Sequence, residues 1–517
     1  MAYDAKCNYI DTFGMVKYWE TIIYNFLKEQ GVQTPPQKKN ESKNNQIVGA
    51  FVKEPITGGH NWVMSFDLNS LYPHLIMQWN ISPEKMIKGN RQDATVDKML
   101  SKEMDLSIGK KMNTTIAPNG VMFSRDKQGF FPEIMEVMYD ERKAWKKKMI
   151  DYQQEKQRTP KDEVKRRTEL DTLIKRAYNN QQVRKIALNS AYGSMANQWF
   201  AFFSVDLAEA ITTAGQLVIR WSEKTVNEYL NNILKTDNED YVIAIDTDSI
   251  YLTMDKFVKE VMPDETDKDK IIDFLSKVEH KIEDVLEEGF LDLADYVNAF
   301  QQKMEMGREV IADRGIWTAK KRYILNVHDN EGVRLKEPKL KLMGIETAKS
   351  STPLWVRRRL EDAIKIVMRG DEKDLWDFVE TSRKEFRELP PEDVAFPRGC
   401  RGLIQYADTT NIYSKGTPIH VRGSLLFNHR LKEMNLTKRY EPIMNGEKIH
   451  FTYLTMPNPL NENVISFTSS LPREFDLHRF VDYDMQFDKS FVEPLKNIVQ
   501  LIDWNVEPTA SLDTFFA

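Results

Sequence analysis

Residues 61–80, NWVMSFDLNSLYPHLIMQWN, join an apolar run ending in one carboxylate, Asp67, to a second apolar run through Ser70-Leu71-Tyr72-Pro73. The first run alternates and ends apolar as a strand does, whereas Leu71, Leu75, Ile76 and Trp79 recur at helical spacing, which predicts strand, turn and helix. Pro73 fixes φ near the helical value and has no N–H, so it suits a first turn, and the helix is expected to begin around 71–73. The N–H groups of Ser70, Leu71 and Tyr72 then lack helical partners. Such a helix start attracts phosphate oxygens, while the carboxylate beside it attracts a cation. Taken alone, the motif reads as a helix capped by Asp67.

A second acidic motif changes that reading. Residues 241–254, YVIAIDTDSIYLTM, are two β-prone runs around Asp-Thr-Asp-Ser, which predicts a hairpin with carboxylates at its tip. Asp246 and Asp248, two apart at a tight turn, tend to project to one side, where their repulsion calls for a cation unless an Asx-turn satisfies them locally. Between the two motifs, residues 133–188 are long, charged and helical with a polar break near 155–162, as two antiparallel helices would be. Residues 141–190 hold 15 Lys plus Arg against 7 Asp plus Glu, so this segment could face phosphates although the whole chain carries −5. Lys185, Asn189 and Tyr192 stand at i, i+4 and i+7, on one side of a helix, where a cation, an amide and a ring could hold triphosphate and base. Arg142 and Lys146 share a face of the other arm; Lys146 is read as a solvated surface cation. Two acidic strand ends separated by a basic helical hairpin look like a two-metal phosphoryl-transfer site, with ions about 3.5–4 Å apart. Hard oxygen ligands suit Mg²⁺ better than zinc.

At 517 residues the chain is too long for one core, and roughly two to four packed units are expected. Hydrophobic residues at 41% and charged residues at 29% exclude disorder as the main state. Cys7 and Cys400 stand apart without metal-ligand spacing, so neither a disulfide framework nor a zinc site is supported, and a reducing intracellular setting fits. No signal-peptide segment and no window of about 18 apolar residues occurs, so no membrane partner is expected. Residues 31–48 are polar with two prolines and read as a linker, and beyond 345 the chain becomes helix-rich, as a further domain would be.

The motifs resemble family B DNA polymerases, most closely the replicative polymerases of T-even-type bacteriophages. The matching stretches are FDLNSLYP, RKIALNSAYG, DTDSIY, KKRYILNV and EPKLKLMGIETAKSSTP, in the family's order across residues 50–350. The resemblance implies an α+β fold of right-hand type. It has an antiparallel-sheet palm (49–131 and 197–344), helical-hairpin fingers (132–196) and a mostly helical thumb (345–510), after an N-terminal segment and linker (1–48). It implies two Mg²⁺ ions held by Asp67, Asp248 and the Leu68 carbonyl, with Asp246 adjusting them. Ser70, Leu71 and Tyr72 match the triphosphate cradle, and Tyr72 also crowds the sugar 2′ position. Arg142, Lys185 and Asn189 match residues that grip the incoming dNTP, and Tyr192 the one beside the nascent pair. Lys320, Lys321, Arg322 and Tyr323 match the stretch that follows the primer strand, Lys321 nearest the metals. Glu309 matches a nearby acidic position. Family members carry Tyr-Gly immediately before Asp-Thr-Asp, where this chain has Ala244 and Ile245.

The resemblance begins only near residue 10, and the family's exonuclease domain has no counterpart; Asp237-Asn238-Glu239 lies in a polar stretch. A split enzyme is therefore expected, its exonuclease on another chain that docks on residues 1–50 and the palm, working in the cytoplasm of an infected bacterial host. The tail 511–517 offers Leu512, Phe515 and Phe516 as anchors, which in related polymerases dock on the sliding clamp, with docking back on the chain's own thumb as the alternative. The reaction implied is template-directed addition of dNTPs to a primer 3′-hydroxyl on primer-template DNA. A two-metal nuclease would also cluster carboxylates but has no need of the KIALNSAYG helix. A non-catalytic DNA-binding subunit would not need to retain Asp67 and Asp248.

Overall fold

The computed structural model describes residues 1–34, 47–87, 89 and 91–508. Most of the expected linker at 31–48 and the whole tail at 511–517 lie outside the described residues. The chain packs as two units, one of Met1–Glu54, Met64–Ile311 and Asn330–Val333, the other of Pro55–Val63, Ala312–Asp329 and Arg334–Ala517.

In the first unit, helix α1 (Met15–Glu29) precedes strand β1 (Gly58–Leu68), of which residues 64–68 belong here. β1 alternates in burial at its start and is buried on both faces from Val63 to Phe66, as its unbroken apolar run requires. Helix α2 (Leu71–Trp79) follows, bracketed by two left-handed residues, Ser70 (φ 49°) and Asn80 (φ 55°). Asparagine tolerates that conformation, and here the Ile81 N–H closes the last turn on the Ile76 carbonyl at 2.9 Å. The Asn80 amide also accepts from the Gly129 N–H at 2.8 Å, which fixes the entry to helix α3 (Phe130–Arg158).

Helices α3 and α4 (Val164–Met195) pack along each other through a connection at 159–163, where the polar break predicts it. Their far end is closed by charge: Arg167 donates to the carbonyls of Lys156 and Thr159 at 2.9 and 2.8 Å, satisfying the last turn of α3. Helix α5 (Val205–Leu234) starts at Ser204, whose hydroxyl accepts from the Leu207 N–H at 3.4 Å. Strands β2 (Val242–Asp246) and β3 (Ser249–Thr253) form an antiparallel hairpin that pairs Asp246 with Ser249, turned at Thr247 (φ 65°). Ala244 and Ile245 are buried in it at 6% and 1% exposure. After helix α6 (Lys268–Tyr296) comes strand β4 (Met306–Ala319), and within this unit the strand order is β2-β3-β1-β4.

The second unit holds the start of β1, the rest of β4, and strands β5 (Arg322–Asn330) and β6 (Val333–Met343), in the order β1-β4-β5-β6. Helices α7 (Leu354–Arg369) and α8 (Glu372–Arg387) follow. Strand β7 (Phe396–Gly399), helix α9 (Ile419–Glu433), and strands β8 (Lys448–Tyr453) and β9 (Val464–Phe467) come next, the strands forming an antiparallel sheet ordered β9-β8-β7. Its core is mainly aliphatic, with Phe386, Phe427, Phe467, Phe487 and Phe491 fully buried within it. Beyond residue 345 helices dominate, with this short-stranded sheet among them. Strands β7, β8 and β9 are four to six residues long, too short for a period of two to stand out in sequence. The chain is thus a mixed helix and sheet protein, and the strand pairs of its hairpins and of the β7-β8-β9 sheet are antiparallel. Among the described residues no helix is long and apolar enough to cross a membrane.

Candidate active site

A cavity of about 830 Å³ opens in the first unit, with Asp67, Leu68 and Asp248 on one wall. The Leu68 N–H donates to the Asp248 carbonyl at 2.8 Å, so the end of β1 and the tip of the β2–β3 hairpin are held side by side with their carboxylates. The Ser249 hydroxyl donates to Asp67 at 2.6 Å and fixes that carboxylate's orientation. Burial pushes the Asp248 carboxyl up to about 7, and the negative charge of Asp67 beside it, then those of Asp246 and Glu309, push the same way. Asp246 itself is not among the lining residues; it sits in the ladder opposite Ser249 and accepts from the Thr247 hydroxyl at 3.2 Å.

Glu305 and Glu309 extend the acidic wall from the start of β4. The Asn69 N–H donates to the Glu305 carbonyl at 3.0 Å, and the Ser65 hydroxyl lies 3.3 Å from the Glu309 carboxylate. Arg308, 8% exposed, donates from its guanidinium to Glu279 on α6 at 2.5 Å, and its backbone N–H donates to Glu283 at 3.0 Å. These contacts bind β4 to α6 behind the carboxylates.

Facing this wall are the turn at 69–72 and the helical hairpin. Among the described residues no group accepts from the N–H of Ser70, Leu71 or Tyr72, as expected for a helix start. Arg142 donates to the Ser70 hydroxyl at 3.0 Å, while its Nε is buried with no partner, a donor suited to an anion in the cavity. Lys185 and Asn189 line the cavity from α4. So does Lys146, which is exposed, as its reading as a solvated surface cation expects, and which stands one turn beyond Arg142 on α3. Tyr72 lines the cavity and packs on Tyr192 with ring centroids 4.7 Å apart, while Tyr192 itself is not among the lining residues. The Tyr72 phenol is pushed up to about 12 by burial first, then by Tyr192 and Asp248, so it stays a neutral hydroxyl.

Three supporting residues were not legible in sequence. His74 bonds through Nδ1 to the Ser70 carbonyl at 3.1 Å, and its ring meets Tyr139 edge-on at 4.5 Å. The Tyr139 hydroxyl in turn accepts from the Asn69 amide at 2.8 Å. Together they hold the left-handed turn at Ser70 against α3, and only the pairing of distant elements reveals them.

In the second unit Lys321 (φ 59°) forms the turn between β4 and β5, and the side chains of Lys320 and Lys321 are exposed. Arg322 makes a two-pronged ion pair with Glu346, at 2.9 Å to each oxygen. Tyr323 is 4% exposed and stacks on Trp317 at 5.5 Å, so its ring is part of the core. Leu512, Phe515 and Phe516 lie outside the described residues.

Among the described residues no cluster of three or more His, Cys, Asp or Glu is arranged to hold a metal ion. Asp67, Asp248 and the Leu68 carbonyl are instead an incomplete, all-oxygen set, which fits a hard cation that keeps water and takes further oxygens from a substrate. The Asp248 carboxyl is raised by burial first and then by the negative charge of Asp67 beside it, an environment in which a cation is favourable.

A pH dependence follows for the metal-free protein. Its folded state holds the Asp248 proton to about 7, whereas an unfolded aspartate releases it near pH ~4. The folded state thus binds more protons across that window, and stability falls as pH rises through it. Asp248→Asn is expected to remove this fall and to melt a few degrees higher than wild type at pH 8. Mg²⁺ is expected to raise the melting temperature of wild type and not of the variant. Identical melting profiles with and without the substitution would overturn the geometry described.

The DNA polymerase family B model matches residues 14–395. The DNA-directed DNA polymerase of Escherichia phage RB69 is 33% identical over 568 aligned positions that cover 100% of this chain and 62% of the relative. That of Enterobacteria phage T4 is 31% identical with the same coverage, and a DNA polymerase of Pyrococcus glycovorans is 26% identical over 72% of this chain and 39% of its own length. The chain thus spans about three fifths of the length of the phage relatives it matches. Its acidic strand end, left-handed turn and basic helical hairpin, meeting in one cavity within the matched residues, belong to a member of DNA polymerase family B.

Proposed function

We propose that the chain is the polymerising part of a DNA-directed DNA polymerase of phage type, adding dNTPs to a primer 3′-hydroxyl as a template directs. The observation that carries the reading is the cavity itself, which a half-buried carboxylate pair lines together with Arg142, Lys146, Lys185 and an open helix start. A triphosphate fits between those cations and the N–H groups of 70–72. In this class of reaction two bound Mg²⁺ ions activate the attacking hydroxyl and neutralise the leaving phosphates, and Asp67, Asp248 and the Leu68 carbonyl would hold them. Asp246 is proposed to stiffen the hairpin tip rather than to ligate. The Tyr72 ring, backed by Tyr192, excludes bulk from the sugar 2′ position, and Lys185 and Asn189 orient the phosphates from α4. Lys320–Tyr323 is proposed to follow the primer strand, chiefly through its two exposed lysines, with salt-sensitive binding through phosphates. The palm (49–131 and 197–344), fingers (132–196) and thumb (345–510) layout is part of the same proposal.

Primer extension with dNTPs and Mg²⁺ tests it. Wild type is expected to extend, and Asp248→Asn to lose activity by a factor on the order of 10³ or more. Tyr72→Ala is expected to extend with ribonucleotides that wild type rejects. Full extension by Asp248→Asn would refute the site, and DNA binding without extension by wild type would favour a non-catalytic subunit.

We propose further that an exonuclease-bearing chain docks on the N-terminal segment, in the cytoplasm of an infected bacterial host. Support comes from Tyr3, Tyr9, Ile10 and Phe13, which are 94%, 74%, 75% and 73% exposed, an apolar cluster of the kind that partners cover. Co-purification with such a chain is expected to be lost in Tyr9→Ser/Phe13→Ser. Equal recovery with the double variant would reject the docking face.

The clamp contact of Leu512, Phe515 and Phe516 rests on the tail sequence alone. Deleting residues 511–517 is expected to lower processivity with a clamp present and to leave distributive synthesis intact. Equal loss in both assays would reject that role.

A further inference from the structure

The sequence reading places α1 in a terminal segment, yet its central side chain reaches the helix that carries Lys185, Asn189 and Tyr192. Trp19 is completely buried. Its indole N–H lies 3.1 Å from the Ala187 carbonyl and 3.1 Å from the Ser190 hydroxyl, and that hydroxyl donates to the same carbonyl at 2.8 Å. The ring also packs against Phe131 at the start of α3, with centroids 6.5 Å apart. One residue further along α1, the Glu20 carboxylate accepts from the Ala201 N–H at 3.0 Å, just past the end of α4.

Ala187 and Ser190 interleave with the functional positions. Ala187 is buried on the side of α4 turned to α1, while Lys185 and Asn189 are exposed on the side turned to the cavity. Apolar packing resists separation of two helices but only weakly resists rotation of one about its own axis. A directional hydrogen bond from a buried indole to one carbonyl resists that rotation. A turn of about 20° would carry a side-chain tip on α4 some 2 Å sideways, given a helix radius of about 5–6 Å with side chains. Misplacement on that scale costs on the order of 10²-fold where phosphates must be aligned.

We infer that Trp19 is a positioning residue for nucleotide binding, and that α1 sets the rotation of α4 through the Ala187 carbonyl. This rests on the nucleotide-binding reading of Lys185 and Asn189. Trp19→Phe tests it without leaving a buried acceptor orphaned, because Ala187 keeps the Ser190 hydroxyl.

In the full 517-residue chain, Trp19→Phe is expected to raise the KM for dNTP about tenfold, with kcat at saturating dNTP within about twofold of wild type. Equilibrium dNTP binding to the protein on a dideoxy-terminated primer-template should weaken by the same factor, with helical circular dichroism unchanged. Ser190→Ala, which removes one of the two acceptors, is expected to raise KM about threefold and decides the matter if Trp19→Phe does not fold. A KM equal to that of wild type in the folded variants, or a loss confined to kcat, overturns the inference. Absence of extension by wild type would instead overturn the polymerase reading on which it rests.

Discussion

The 2.8 Å hydrogen bond from the Leu68 N–H to the Asp248 carbonyl is the constraint on which the site depends. It ties the last residue of β1 to the turn between β2 and β3, and a backbone bond of this kind has no regard for the charges carried beside it. By joining β1 to that turn it brings Asp67 and Asp248 together against their own repulsion, inside a wall that excludes most water. The free energy comes from the buried apolar residues on both strands, Val63 to Phe66 and Ile250 to Leu252, which the carboxylates alone cannot undo. The outcome is the upward displacement of the Asp248 carboxyl, caused by burial first and then by Asp67 beside it.

The opposite wall is built on a different principle. Positive charge on a helical hairpin is inexpensive because long side chains keep their ends in water, so α3 and α4 carry Arg142, Lys146 and Lys185 with little burial beyond Arg142. What that wall needs is orientation. The turn at Ser70 is held by His74, Tyr139 and Asn69, and α4 by the buried indole of Trp19. Acids on a sheet end and cations on helices are thus positioned by separate sets of contacts.

Much of this was legible in the residues. The strand, turn and helix of 61–80 follow from alternation passing into a period of 3.6 with Pro73 at the change, and the hairpin at 241–254 from two β-prone runs about Asp-Thr-Asp-Ser. The break between α3 and α4 follows from a polar gap, and the convergence of both acidic motifs with the basic hairpin was expected from charge. The short strands β7, β8 and β9 were not legible, since four to six residues pair with partners as far as about fifty positions away and carry no period of their own. Lys146 is exposed as read, and its place on the cavity rim was not legible because a lysine at i+4 looks the same in sequence whether solvent or a site lies opposite. Glu305, His74, Tyr139 and Ser249 were missed for the same reason: each has an ordinary local context, and its partner lies elsewhere in the chain.

The amino-acid sequence by itself determined the two acidic strand ends, the turn into a helix start with open N–H groups and the basic hairpin, because those properties are local and periodic, and its quoted motifs carried the resemblance to the family. Only the tertiary structure decided that Asp246 stays in the ladder while Asp248 enters the cavity. It alone decided that Tyr323 is a core ring on Trp317, and that a tryptophan near the N-terminus grips the helix bearing Lys185 and Asn189. Those outcomes depend on which side of an element is covered by residues far away in the chain, and burial of that kind is a property of the packed whole.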